Sequence, residues 1–152
     1  MERLKSTDRH ESMRGYFAHS LYNEMIDNPN IVVVTADLGY GMLDKIKSDF
    51  GNRFLNCGAA ETALLGIAVG LALEQKKPVV YTISSFYLRA AEQISLYAAH
   101  EKLPIIMVGG GRDNDYLHDG YSHDAGITQK YMEMLGIKSL YPQTNEEAAK
   151  LL

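Results

Sequence analysis

A chain of 152 residues, 46% hydrophobic and 22% charged, can bury a core and reads as one domain, residues 1–152. A net charge near −4 gives no electrostatic case for nucleic acid, and a single cysteine, Cys57, excludes an internal disulfide. Glu74, Lys76 and Lys77 cut the longest apolar run short of the roughly 18 to 20 residues of a membrane span; with no secretory signal visible, a reducing cytoplasm is the expected compartment.

Ser6 or Thr7 can cap a first helix running to about Asp27, with Met13, Phe17, Leu21, Tyr22 and Met25 on its buried face. Residues 31–36, IVVVTA, form a continuous β-branched run, the pattern of a strand covered on both faces. A loop around Asp37, a short helix over 42–50 and a strand over 53–57 follow. The helix over 61–75 is apolar all round and should be buried. Its Gly66 and Gly70 each cost about 1 kcal/mol against Ala, which makes sense where another backbone packs close, in this chain or on a partner. Then come a strand over 78–83, an amphipathic helix over 86–100, a strand over 103–108 and a long loop over 109–123. A helix over 125–135, a strand over 137–141 and a helix from Thr144 complete the chain.

Strand and helix alternate five times, so the expected class is α/β: three layers, α/β/α, around a mainly parallel, doubly wound sheet. An edge strand should follow the last helix, so the sequence reads as a fragment or as a minimal subunit. Ligands on such sheets bind at the carboxyl ends of the strands. Those ends carry Asp37, Ala60-Glu61, Ser84 to Phe86 and the 109–123 loop. Glu61 opens a helix, where a charge–dipole pairing is worth about 0.3 to 1 kcal/mol. Its sequence neighbours Gly58, Ala59, Ala60, Leu64 and Leu65 offer no cation, so the carboxyl is expected in small, apolar surroundings. A buried acid beside an aromatic, Phe86, suits a flat heterocycle with a ring nitrogen.

Several stretches together resemble the pyrimidine-binding domain of transketolase-like thiamine diphosphate enzymes. They are Ala60-Glu61, the Gly/Ala helix ending Ala68-Val69-Gly70-Leu71-Ala72, Pro78, Ser85-Phe86, Leu103-Pro104 and Asp119-Gly120-Tyr121-Ser122-His123. The resemblance implies that Glu61 hydrogen-bonds N1′ of the cofactor's aminopyrimidine, favouring the tautomer that takes a proton from the thiazolium. It implies that Phe86 stacks on that ring and that Asp37 lies near the cofactor at a subunit interface. Ile83 stands where many relatives have a second aromatic of the ring pocket. Asp119 and His123 match residues that hydrogen-bond substrate hydroxyls. Arg89 and Arg112 resemble arginines of the deoxyxylulose-phosphate synthase branch, where a guanidinium suits a substrate phosphate.

These enzymes hold the diphosphate through a divalent metal, using Gly-Asp-Gly and a later Asn. This sequence has no such motif, so no metal ligands are assigned here. Mg²⁺ and the diphosphate are expected on a partner, a diphosphate-binding transketolase-like subunit. The resemblance thus implies the pyrimidine-binding half of a split enzyme, oligomeric, moving a two-carbon ketol unit between sugars or sugar phosphates. Two alternatives stay open: a β-type subunit of a 2-oxo acid dehydrogenase, and a non-catalytic assembly or regulatory module that kept the fold. No G-x-G-x-x-G follows a strand, which argues against a generic dinucleotide binder.

Overall fold

The computed structural model describes residues 11–112 and 115–152. Helix α1 (Met13–Asp27) starts at Ser12, whose hydroxyl accepts from Gly15 N at 3.2 Å, satisfying one of the four donors a helix start leaves unpaired. The expected caps Ser6 and Thr7 lie outside the described residues. Ala18, Leu21, Tyr22 and Met25 form the buried stripe of α1.

Among the described residues four strands form one sheet: β1 (Ile31–Thr35), β2 (Phe54–Asn56), β3 (Lys77–Ile83) and β4 (Ile106–Gly110). All pairings are parallel and the order is β2-β1-β3-β4. Side chains alternate across a strand, so the β-branched run of β1 feeds two cores. Ile31 and Val33 join Val79 and Tyr81 of β3 under α1 and α2 (Asp44–Asp49). Val32, Val34 and Val80 pack on the opposite face under α3 (Glu61–Leu73), through Leu64, Leu65 and Ala68. This is the three-layer α/β arrangement expected from the alternation.

The expected helix over 86–100 is more complex. Residues Ser84–Ala90 wind as a 3-10 segment, α4 covers Ala91–Gln93, and Ile94–His100 is a π-helix. Tertiary hydrogen bonds explain the tight first part. Ser84 Oγ donates to Gly110 O at 2.9 Å, and the buried Tyr87 hydroxyl lies 3.0 Å from both Val80 O and Val108 O. These bonds draw the segment down onto the ends of β3 and β4. Gly109 has no side chain for the same reason: a Cβ there would stand 3.1 Å from Ser84 Cα.

The expected fifth strand over 137–141 is not formed. Among the described residues no ladder joins that segment to β4, which stays an edge strand. The two instead line a common cleft of about 660 Å³, with Ile106 and Val108 from β4 and Ile137 and Leu140 from the segment. Helices α5 (Ala125–Met134) and α6 (Asn145–Ala149) close the chain, each with a capping side chain, Asp124 and Thr144.

Candidate active site

The carboxyl ends of β1, β2 and β3 converge on the turn that precedes α3. Asn56, the last residue of β2, organises it: its Oδ1 accepts from Asp37 N at 2.9 Å and from Gly58 N at 3.0 Å. Gly58 has a φ of 72°, the left-handed region that glycine enters without a Cβ penalty. Cys57 N donates to Thr35 O at 3.0 Å, fastening the turn to β1. The result aims Glu61, first residue of α3, inward at the positive end of the helix dipole. Its side chain is 3% exposed.

The expectation of a carboxyl with no cation nearby is corrected by the fold. Nη1 of Arg89 lies 3.0 Å from both oxygens of Glu61. The two residues are 28 apart in sequence, and the 3-10 winding of Ser84–Ala90 is what turns Arg89 toward α3. The two partners differ sharply in environment, because the Arg89 side chain is 51% exposed. The same guanidinium carbon stands 3.8 Å from the ring centroid of Phe86, a stacking distance. His123 completes the row, its ring tilted 63° to Phe86 with centroids 5.0 Å apart.

The eight sequence-derived residues are placed as follows. Glu61, Arg89, Phe86 and His123 form one contiguous cluster. Asp37 sits beside it, tied to the Glu61 turn through Asn56; its Oδ1 accepts from the Tyr40 hydroxyl, and that bond, followed by the one from Asn56, holds the carboxyl below the usual carboxylate range. Ile83 is buried at the end of β3, opposite Gly110 in the ladder. Asp119 is exposed, 3.4 Å from His118 Nε2, in a short turn that packs beside the turn bearing His123. Arg112 goes elsewhere: Nη1 donates to Pro142 O at 2.9 Å, and the residue lines the cavity at the β4 edge.

Two contributors, Asn56 and Tyr116, were not singled out from sequence, and a third, Ser85, entered there only as part of the Ser84 to Phe86 stretch. Asn56 acts only through loop geometry. Tyr116 lies 5.9 Å from His123, centroid to centroid, and accepts from Arg14 Nη1 at 2.9 Å. Ser85 is buried with its hydroxyl oxygen unpartnered, beside Phe86 in the segment that meets α3. The adjacency of Ser85 to Phe86 was a usable signal; the reach of Arg14 over 102 positions was not.

An aminopyrimidine shares with the Arg89 guanidinium a flat face and an edge of N–H donors, so a carboxyl at one edge and an aromatic face beside it fit the ring half of thiamine diphosphate. Among the described residues no three His, Cys, Asp or Glu side chains converge to hold a metal ion. Among them, too, no helix is long and apolar enough to cross a membrane.

Comparison with known proteins identifies the family. The family described as transketolase, pyrimidine binding domain, matches residues 10–152. A 33.6 kDa uncharacterized protein of the fasciation locus of Rhodococcoides fascians is 31% identical over 115 residues, covering 75% of this chain and 37% of that protein. A 1-deoxy-D-xylulose-5-phosphate synthase of Picosynechococcus sp. is 31% identical over 138 residues, 90% of this chain and 22% of that enzyme. A solved structure described as a split gene transketolase, inactive beta4 tetramer, superposes with a TM-score of 0.59 at 32% identity, covering 64% of this chain and 33% of that one. The chain thus spans about a fifth to two-fifths of the length of these relatives. With the match running over nearly every residue and the fold in agreement, the chain belongs to the transketolase pyrimidine-binding domain family, a family of thiamine diphosphate chemistry.

Proposed function

We propose that this chain is a single pyrimidine-binding domain serving as one subunit of a split, transketolase-like enzyme, which moves a two-carbon ketol unit between sugars or sugar phosphates. The observation that carries the proposal is the Glu61 carboxyl, buried at the head of α3 and facing the same flat group as Phe86. When bound, thiamine diphosphate supplies the carbon nucleophile. Glu61 holds the proton-bearing edge of the pyrimidine, and Phe86 fixes the plane of the ring. His123, in edge contact with Phe86, stands on the substrate side, with Asp119 on the adjoining turn. Arg112, turned toward the β4 edge, is the weakest of the proposed substrate contacts.

The surface of α3 supports a partner. Thr62, Ala63, Gly66, Gly70 and Leu73 are exposed along it, and Leu73 is 66% exposed. A Cβ added at Gly66 or Gly70 meets nothing within 4 Å, so no close-packed backbone faces these glycines among the described residues. A partner subunit lying on this small-residue face, and carrying the Mg²⁺ and diphosphate site, is the arrangement we propose. The solved split-gene relative is described as inactive when it is a beta4 tetramer, in line with a need for a second kind of subunit. The 1-deoxy-D-xylulose-5-phosphate synthase relatives favour ketol chemistry over the 2-oxo acid dehydrogenase alternative.

The test is titration of thiamine diphosphate and Mg²⁺ into the chain alone and into its complex with a diphosphate-binding subunit. Tight, Mg²⁺-dependent binding is expected only in the complex, and Glu61→Ala should abolish its ketol transfer. Tight Mg²⁺-dependent binding by the chain alone would refute the split site; full turnover by Glu61→Ala would remove Glu61 from the mechanism.

A further inference from the structure

We infer that Arg89 is a built-in occupant of the pyrimidine site, which the cofactor ring must displace to bind. The inference rests on the pyrimidine-binding reading above and adds a gating residue to it. Two contacts define that site: the Glu61 carboxylate at one edge and the Phe86 ring beneath. Arg89 makes both. One nitrogen reaches the two Glu61 oxygens at 3.0 Å each, while the guanidinium carbon sits 3.8 Å from the Phe86 centroid. A guanidinium is flat, cationic and edged with N–H donors, and it stacks on aromatic faces. In those respects it imitates a protonated aminopyrimidine. One carboxylate and one ring position cannot serve both groups.

The asymmetry of burial makes the occupancy reversible. Glu61 is 3% exposed, whereas the Arg89 side chain is 51% exposed. Arg89 can swing into solvent and be hydrated there, while a departing Arg89 leaves Glu61 without a countercharge. The vacated site is therefore costly unless another N–H donor arrives. Such an arrangement keeps a buried carboxylate neutralised while the chain is free of cofactor, and it lowers apparent affinity by the fraction of molecules whose site is open. With the open form about a tenth populated, affinity falls about tenfold.

Thiamine, which carries the pyrimidine without the diphosphate, is the probe, titrated into the full chain and followed by NMR. In the wild type, saturation should release the hydrogen-bonded Arg89 guanidinium resonances, a readout independent of turnover. Arg89→Gln, and Arg89→Lys as a variant that keeps the charge, should bind thiamine more tightly, by about tenfold for Gln. Glu61→Gln should lose thiamine binding in either background. Equal or weaker binding by both Arg89 variants, with Glu61→Gln still losing it, would overturn the gate and leave the ring site intact. Undiminished binding by Glu61→Gln, or no thiamine binding by any form, would overturn the ring site and the gate together.

Discussion

Removing either member of the Glu61–Arg89 pair should have unequal effects on stability, and the inequality can be worked out from burial. Deleting one partner of a fully buried ion pair costs about 3 to 5 kcal/mol, because a charge is left in a dry site. Arg89→Ala does this to Glu61, which is 3% exposed. The half-exposed guanidinium was already screened by water, so we discount the loss to about 2 kcal/mol. Glu61→Gln leaves only a hydrated guanidinium and an amide that still accepts one hydrogen bond. It also forfeits a charge at a helix N-terminus, giving about 0.5 to 1 kcal/mol in all. In a domain of this size 1 kcal/mol shifts Tm by about 2 to 4 °C, so Arg89→Ala should melt several degrees below Glu61→Gln. Combining the two should recover much of the Arg89→Ala loss, since no buried charge remains. Urea unfolding of the isolated chain followed by circular dichroism measures all four forms. A Glu61→Gln loss as large as that of Arg89→Ala, or strictly additive losses, would refute the claim that a buried carboxylate is what the arginine neutralises.

Tyr87→Phe should cost about 1 to 3 kcal/mol by urea unfolding, because the hydroxyl near the Val80 and Val108 carbonyls ties the 3-10 segment to β3 and, with Ser84, to β4. Gly66→Ala and Gly70→Ala should each stabilise the isolated chain by about 1 kcal/mol, since both positions open to empty space. Gly66→Arg, equally harmless to the fold, should block association with the diphosphate-binding subunit in a pull-down. The Cys57 thiol is pushed up, first by burial and further by the nearby Glu61 charge. Iodoacetamide should therefore modify it more slowly in the folded than in the unfolded chain near pH 8.5, the ordinary thiol range. Because the folded value is raised, the associated stability is present below the unfolded thiol's value and fades as pH rises through the folded one.

The sequence by itself determined the class of fold and pointed to the strand ends where the candidate site lies. Continuous β-branched runs such as Ile31 to Thr35 are consistent only with burial on both faces, and five alternations leave a parallel α/β sheet as the economical solution. Glu61 and Phe86 were legible because helix starts and strand ends are marked by short-range chemistry. What occupies Glu61 was not legible. Arg89 lies 28 residues away, and its direction depends on a 3-10 winding set by Ser84 and Tyr87 bonds to β3 and β4, which no local propensity encodes. The fate of residues 137–141 was likewise decided in three dimensions: a strand needs a neighbour, and this segment pairs with none, lining a cleft together with β4 instead. Arg112 followed that segment, drawn to Pro142 O rather than to the Glu61 cluster. Local pattern names the elements, while long-range hydrogen bonds and packing decide which charges meet.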